Sequence, residues 1–146
     1  MIRLASPADI PALMELENLA PEAAHWSPAT YSGLFSPSVQ RTVLIAESRG
    51  SLDAFLVARG GSAEWEIENI VVAQSHRRSG LATLLLSELL AKARAQGVKS
   101  LFLEVRESNS AARAFYERSD FRQTGRRPGY YRGPHEDALV YERKLQ

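Results

Sequence analysis

The sequence predicts an α/β domain: a mixed sheet with helices on both faces. Two observations carry this. The apolar residues fall into seven β-branched or alternating runs and four helical runs, in the order β-α-α-β-β-β-α-β-α-β-β. The strands are interleaved with helices along the chain, and no repeat, linker or low-complexity segment interrupts them. At 146 residues the chain reads as one domain over 1–146, long enough to bury a full core.

The elements follow in order. Ile2 to Ala5 reads as a short strand. Ser6-Pro7-Ala8-Asp9 is a helix start, with a serine cap, proline at the first helical position and an acid in the first turn. Ile10, Leu13, Met14 and Leu16 then keep helical spacing. Ser27-Pro28 opens a second, short helix carrying Tyr31, Leu34 and Phe35. Thr42 to Glu47 and Leu52 to Arg59 are strands joined by Ser48-Arg49-Gly50-Ser51, a hairpin signal. Glu64 to Ala73 is the next strand. Leu81, Leu84, Leu85, Leu89 and Ala93 form one helical stripe that Gly97 terminates. Ser100 to Val105 is a strand, and Asn109 caps a helix from Ser110 to Arg118. Phe121 to Arg127 and Asp137 to Lys144 are the last strands, separated by a loop rich in Gly, Pro and Tyr from Pro128 to Glu136.

Composition excludes several classes. Hydrophobic residues at 45% and charged residues at 24% are ordinary for a soluble globular protein. A net charge of +1 argues against a general polyanion binder. No cysteine is present, so thiol catalysis and disulfides are excluded. The N-terminal residues lack the apolar core of a signal peptide, and no apolar run approaches a bilayer span, so a cytoplasmic protein without a membrane partner is expected. The charge is uneven. No Lys or Arg lies between Arg3 and Arg41, where Asp9, Glu15, Glu17 and Glu22 stand, while six arginines occupy 113–132. Two readings stay open: two differently solvated faces, or a cationic substrate approaching one side and an anionic cofactor the other.

The strand ending in Asn69-Ile-Val-Val-Ala leads through Arg77-Arg78-Ser79-Gly80-Leu81-Ala82 into the leucine-rich helix. A helix N-terminus presents unpaired N–H groups and the positive end of its dipole, and attracts phosphate. Gly80 permits close approach of a ligand to the backbone, and small Ala82 keeps the first turn open. The turn reads as a pyrophosphate cradle; a surface turn with two solvated arginines is the alternative. It is not a Walker A loop, which needs Lys after its last Gly, nor a dinucleotide fingerprint, which needs three glycines after a first strand. His25, His76 and His135 have no ligand spacing, so no metal is expected.

These residues resemble the GNAT acyltransferase superfamily, and within it the RimI-like N-terminal acetyltransferases. The turn matches [QR]-x-x-G-x-[GA]; Leu103-Glu104-Val105-Arg106 follows at the family's distance. Asn109 to Phe121 resembles N-x-x-A-x-x-x-Y-x-x-x-G-F, and Gly129-Tyr130-Tyr131 with Asp137-Ala138-Leu139 resembles the branch's tail. His25-Trp26-Ser27 resembles its W-[ST] signal. Ser119-Asp120 departs from the usual Leu-Gly, and Ala82 replaces the commoner Gly. The resemblance implies a mostly antiparallel sheet of about seven strands. It implies acetyl-CoA as co-substrate, with Ile70, Val71 and Val72 beside the pantetheine arm. The backbone of Arg77, Arg78, Ser79, Gly80, Leu81, Ala82 and Thr83 would lie around the pyrophosphate, and Asn109 further along.

Amide formation from a thioester needs a base for the amine, a donor for the carbonyl oxygen and an acid for the thiolate. Glu104 sits on a β-branched strand, where burial makes a carboxylate a better base; Tyr116 is a phenol able to protonate a thiolate. Their alternatives are an arginine-paired strand carboxylate and core packing beside Phe115. The resemblance makes Glu104 the base, Tyr116 the acid and a backbone N–H near Val72 the oxygen's donor. Glu66 and Glu68 are the rival bases, and strict alternation puts both on one face with Asn69 opposite. The expected reaction is acetyl transfer to a protein N-terminal α-amine, with the N-terminal alanine of a ribosomal protein as the branch's acceptor. Alternatives are a small-molecule amine as acceptor, or a non-catalytic CoA-binding module. A nucleic-acid partner ranks last, because lysine is scarce in the arginine-rich segment and no base-stacking motif accompanies it. The oligomeric state is left open.

Overall fold

The structure is a computed structural model that describes residues 1–20 and 23–145; Glu22, counted above among the acids, lies outside the described residues. The strands are β1 (Ile2–Leu4), β2 (Arg41–Ser48), β3 (Ser51–Arg59), β4 (Glu64–Val72), β5 (Ser100–Arg106), β6 (Arg122–Arg132) and β7 (His135–Lys144). They form one seven-stranded sheet in the order β1-β2-β3-β4-β5-β7-β6. Only β4 and β5 run parallel; every other neighbouring pair is antiparallel. The helices are α1 (Ile10–Asn18), α2 (Pro28–Ser32), α3 (Leu81–Ala95) and α4 (Ser110–Arg118).

Alternation along the strands divides the apolar residues between two cores. Leu44, Leu56, Trp65, Ile67, Leu101 and Leu103 face α3 and α4, and pack with Leu85, Leu89, Tyr116 and Phe121. Val43, Ile45, Phe55, Val57 and Val71 face the other way, onto Leu13, Leu16, Tyr31 and Leu34 around α1 and α2. Each fully buried leucine contributes about 1.5–3 kcal/mol by leaving water, so α3 is fastened mainly through Leu85, Leu86 and Leu89.

The helix starts obey local chemistry. The Ser6 N–H donates to Asp9 Oδ2 at 2.8 Å, Ser27 Oγ accepts the Thr30 N–H at 3.2 Å, and Asn109 Oδ1 accepts the Ala112 N–H at 3.2 Å. Beyond α3, Gly97 takes a left-handed φ of +76°, and the Val98 N–H returns to the Ala93 carbonyl. Asp120 takes the left-handed φ (+67°) that glycine would supply after α4, so the departure from the family motif leaves the turn intact.

Three expectations are corrected. Leu84 is not in the buried stripe: it is 53% exposed, because the inward arc of α3 is centred between Leu86 and Leu89 and position 84 falls on its reverse. The Pro128–Glu136 loop is mostly strand. β6 runs through it to Arg132, with a register shift between Arg127 and Tyr131 where Gly129 adopts φ +60°. Long pairing with β7 overrides the turn-like composition there. Alternation also fails in β4, where Val57 pairs with Asn69 but Ala58 with Ile67. Glu68 is therefore the extra residue of a β-bulge. The bulge turns Asn69 toward α1, on the same side of the sheet as Glu66, not opposite it.

Candidate active site

Register places the candidate site where the two parallel strands part. β4 and β5 pair from Glu64↔Ser100 to Ile67↔Leu103, and the pairing stops there. Beyond it, Ile70, Val71 and Val72 still pair with β3 through Leu56, Phe55 and Ala54, while their β5-facing side has no strand partner. An extended ligand can lie along that side and pair with backbone groups as a strand would.

The chain then passes a 3₁₀ turn, Gln74–His76, and reaches α3 with Arg78 at φ +63° and Gly80 at φ +84°. Ser79 Oγ bonds back to the His76 carbonyl instead of capping the helix. Among the described residues no hydrogen bond takes the N–H groups of Gly80, Leu81, Ala82 or Thr83; the first α3 bond runs from the Leu84 N–H to the Gly80 carbonyl at 3.0 Å. A Cβ on Gly80 would meet nothing within 4 Å, so the space before these donors is open. Four unpaired amides at the head of a 15-residue helix form an anion site that fits a pyrophosphate. Asn109 commits its Oδ1 to capping α4, which leaves its NH₂ for a ligand.

Glu104 faces the α1–α2 side of the sheet, because its neighbours Leu103 and Val105 face the other core. Its side chain is 16% exposed and lies 2.5 Å from Nε of Arg127, which is itself 59% exposed. That contact lacks hydrogen-bond geometry, and Glu104 Oε2 accepts no hydrogen bond among the described residues. The arginine-paired strand carboxylate is thus what Glu104 is at rest. Two more carboxylates are close. Glu68 pairs with Arg41 at 2.8 Å. Burial pushes the Glu66 carboxyl up, the negative charges of Glu68 and Glu104 add to this, and Arg59 and Arg127 oppose it. Tyr130 and Tyr131 stack edge to face at 5.1 Å; Arg127 lies over the first ring and Arg106, at 4.2 Å, over the second. Burial, followed by the charge of Glu104, pushes the Tyr131 phenol up.

Tyr116 projects from α4 into the other core, edge to face with Phe115 and Phe121. Burial alone pushes its phenol up, which holds its proton firmly until a strong base arrives. Its hydroxyl has no hydrogen-bond partner among the described residues. Core packing is therefore its resting role, with the hydroxyl uncommitted.

Of the acids in the N-terminal segment, Glu15 is exposed and two others are committed within the fold. Asp9 is bound by Arg3 at 3.0 Å, and Glu17 is buried and hydrogen-bonded. Beside Glu66 stand Glu68 and Glu104, each with an arginine of its own. The basic segment is partly neutralised too: Arg126 pairs with Glu107 and Asp137, and Arg113 donates to Tyr141 Oη and the Glu107 carbonyl. Sequence reasoning missed Arg127 and Arg41 as partners of the site carboxylates, and nothing local marks either. Glu17 carried a signal: it stands at i+4 from Leu13, on an otherwise apolar helix face.

A parting parallel pair, an amide-lined helix head and a sheltered carboxylate beyond them define an N-acetyltransferase: the chain belongs to the Acetyltransferase (GNAT) family, whose model matches residues 10–121. More particularly, it is 35% identical over 141 residues to the ribosomal protein bS18-alanine N-acetyltransferase of Salmonella typhimurium, covering 95% of this chain and 93% of that one. The crystal structure of the ribosomal-protein-S18-alanine N-acetyltransferase from Escherichia coli superposes with a TM-score of 0.86 at 29% identity, covering 100% of this chain and 94% of the other. An aminoglycoside 6'-N-acetyltransferase complexed with coenzyme A shares the fold, with a TM-score of 0.82 at 17% identity over 100% and 97% of the two chains.

Proposed function

We propose that this protein is a cytoplasmic enzyme that transfers acetyl from acetyl-CoA to the N-terminal α-amine of a protein, with the N-terminal alanine of a ribosomal protein as acceptor. One observation carries the chemistry: the Glu104 carboxylate is sheltered beside Glu66, and its Oε2 meets the exposed side chain of Arg127 in an ion pair that an incoming ammonium can replace. The near-full-length likeness to bS18-alanine N-acetyltransferases supports the acceptor.

In this reading the amides of Gly80 to Thr83 hold the pyrophosphate, and the open side of Ile70 to Val72 pairs with the pantetheine arm. Glu104 takes a proton from the α-ammonium. As the new N–C bond forms and the acetyl C–S bond breaks, Tyr116 gives its proton to the departing thiolate and regains one from the acylated nitrogen, and a backbone N–H near Val72 faces the carbonyl oxygen. Glu66 and Glu68 draw the cation in, and Tyr130 and Tyr131 wall the slot.

Amine chemistry favours the α-amine. With a pKa near 7.7–8.0 it is ~10% or more free base at pH 7, whereas a lysine near 10.4 is under ~0.1%. A carboxylate base therefore has far less work with an N-terminus. A peptide beginning with alanine and carrying an internal lysine tests the reading by mass spectrometry: acetyl belongs on the N-terminal nitrogen. Acetyl found mainly on lysine overturns the acceptor assignment while leaving the acetyl-CoA site intact.

A further inference from the structure

Among the described residues the reaction as proposed leaves two buried carboxylates unused, Asp53, which meets Ser48 and His76, and Glu17. Glu17, on α1, is 1% exposed. A buried carboxylate is costly unless its oxygens are hydrogen-bonded. Here Oε1 accepts the Trp26 N–H at 2.9 Å, and Oε2 accepts both the His25 N–H at 3.0 Å and Asn69 Nδ2 at 2.6 Å. Asn69 is itself only 6% exposed. His25 is held at φ +56°, so two successive amides curl around one anion as a nest. Trp26 leaves that nest to meet Tyr31 edge to face at 5.5 Å. Burial, reinforced by the Glu17 carboxylate, pushes the Tyr31 phenol up, which keeps it neutral against its anionic neighbour.

The two ends of this contact differ in firmness. Asn69 belongs to β4, pairs with Val57 and directly follows the bulged Glu68. His25 and Trp26 lie between α1 and α2, outside helix and strand. The strand is held without Glu17, whereas the loop is held by Glu17 at the His25 and Trp26 amides together with the packing of Trp26 on the α1–α2 core. Both lie on the face of the sheet that carries Glu66 and Glu104.

We infer that Glu17 is a positioning residue for the acceptor: through Asn69 it ties the His25–Trp26 segment to the β4 bulge and so sets the wall against which the peptide N-terminus binds. This rests on the N-terminal acetyltransferase reading. The carboxylate touches neither reacting group; its effect passes through the loop. Its loss therefore weakens capture of the peptide and leaves the acetyl-CoA side, built on β4 and the head of α3, as it was.

The test is Glu17→Gln assayed with an alanine-initiated peptide and acetyl-CoA varied independently. The carboxamide turns an NH₂ toward a backbone N–H, so at least one charge-assisted bond is lost. We expect the peptide KM to rise about tenfold or more, with the acetyl-CoA KM and kcat within about twofold. Glu17→Asp, which keeps the charge on a shorter stem, recovers part of the loss. An unchanged peptide KM, or equal damage to both substrates' KM values and kcat, overturns the inference. Should Glu17→Gln fail to fold, amide exchange in the unaltered protein decides: the His25 and Trp26 amides are protected if Glu17 holds them, and exchange at loop rates sinks the idea. Failure of the unaltered enzyme to acetylate any peptide refutes the N-terminal reading instead, and the exchange result is independent of it.

Discussion

Replacing Gly80 with aspartate separates binding from folding at the head of α3. In the free protein the change is mild. Among the described residues nothing beyond its chain neighbours lies within 4 Å of the position a Cβ would take, so the main penalty is the left-handed backbone at φ +84°. That conformation costs an L-residue about 1–2 kcal/mol, and aspartate falls at the low end because its short polar chain bonds locally. In a chain of this size 1 kcal/mol moves Tm by roughly 2–4 °C. With coenzyme A the outcome changes. The carboxylate stands before the unpaired amides of Leu81, Ala82 and Thr83. It competes for those donors and places a negative charge roughly 5 Å from the pyrophosphate, worth ~3 kcal/mol per charge pair at an effective dielectric near 20. One such pair weakens binding roughly a hundred-fold, at ~1.4 kcal/mol per decade. Gly80→Ala carries the same backbone strain without the charge, and should lose about tenfold at most. Titration calorimetry with coenzyme A, beside thermal melts of both variants, separates the contributions. A Gly80→Asp protein that melts within a few degrees of the parent and binds coenzyme A with unchanged Kd refutes the cradle.

Other substitutions probe the chemistry and the frame. Glu104→Gln and Tyr116→Phe should each lower kcat by ~10² or more, the usual contribution of a general base or acid, without altering coenzyme A affinity in calorimetry. Near-parental turnover in Glu104→Gln would move the base to Glu68 or Glu66. Glu66 has its carboxyl pushed up on folding, so the native state binds that proton more tightly than the unfolded chain and stability falls as pH rises above the ordinary glutamate range. Glu66→Gln should therefore melt higher than the parent at pH 7.5, with the difference shrinking toward pH ~4; a pH-independent difference would contradict this. Asp120 holds a left-handed φ of +67° at the C-terminal, negative end of α4. Asp120→Gly should add about 1 kcal/mol in urea unfolding, and a loss would show that its 4.0 Å contact with Arg143 matters more than the strain.

What the sequence made legible is what local chemistry decides. Ser6-Pro7, Ser27-Pro28 and Asn109 start helices because a side chain and the next two or three amides settle the matter between themselves. The Arg77–Thr83 turn was readable for the same reason: one glycine and a strand-to-helix context fix where the free amides point. The failures depend on partners distant in the chain. The bulge at Glu68 exists only in the register of β3 against β4, so alternation read along β4 alone put Asn69 on the wrong side. Arg127 reaches Glu104 across β7, which separates their strands. The Pro128–Glu136 segment has a loop's composition, and only the partner strand makes it extended. Glu17 showed as an acid in an apolar row, but its three donors come from two segments that no spacing rule connects.

The order of the strands leaves β6 as an outer margin of the sheet, eleven residues long and mostly exposed. Such a margin offers amides and carbonyls to any passing strand, including one from a second copy or a nascent chain. This one is poorly suited to recruitment. Arg122, Arg126, Arg127 and Arg132 would oppose their own kind in a self-pairing, Pro128 has no proton to donate, and the offset between Arg127 and Tyr131 spoils a straight ladder. The arginine that pairs with the candidate base is thus also one of the charges that line this edge. Trimming Arg127 to widen the acceptor slot would therefore remove the Glu104 ion pair and an edge charge in one step.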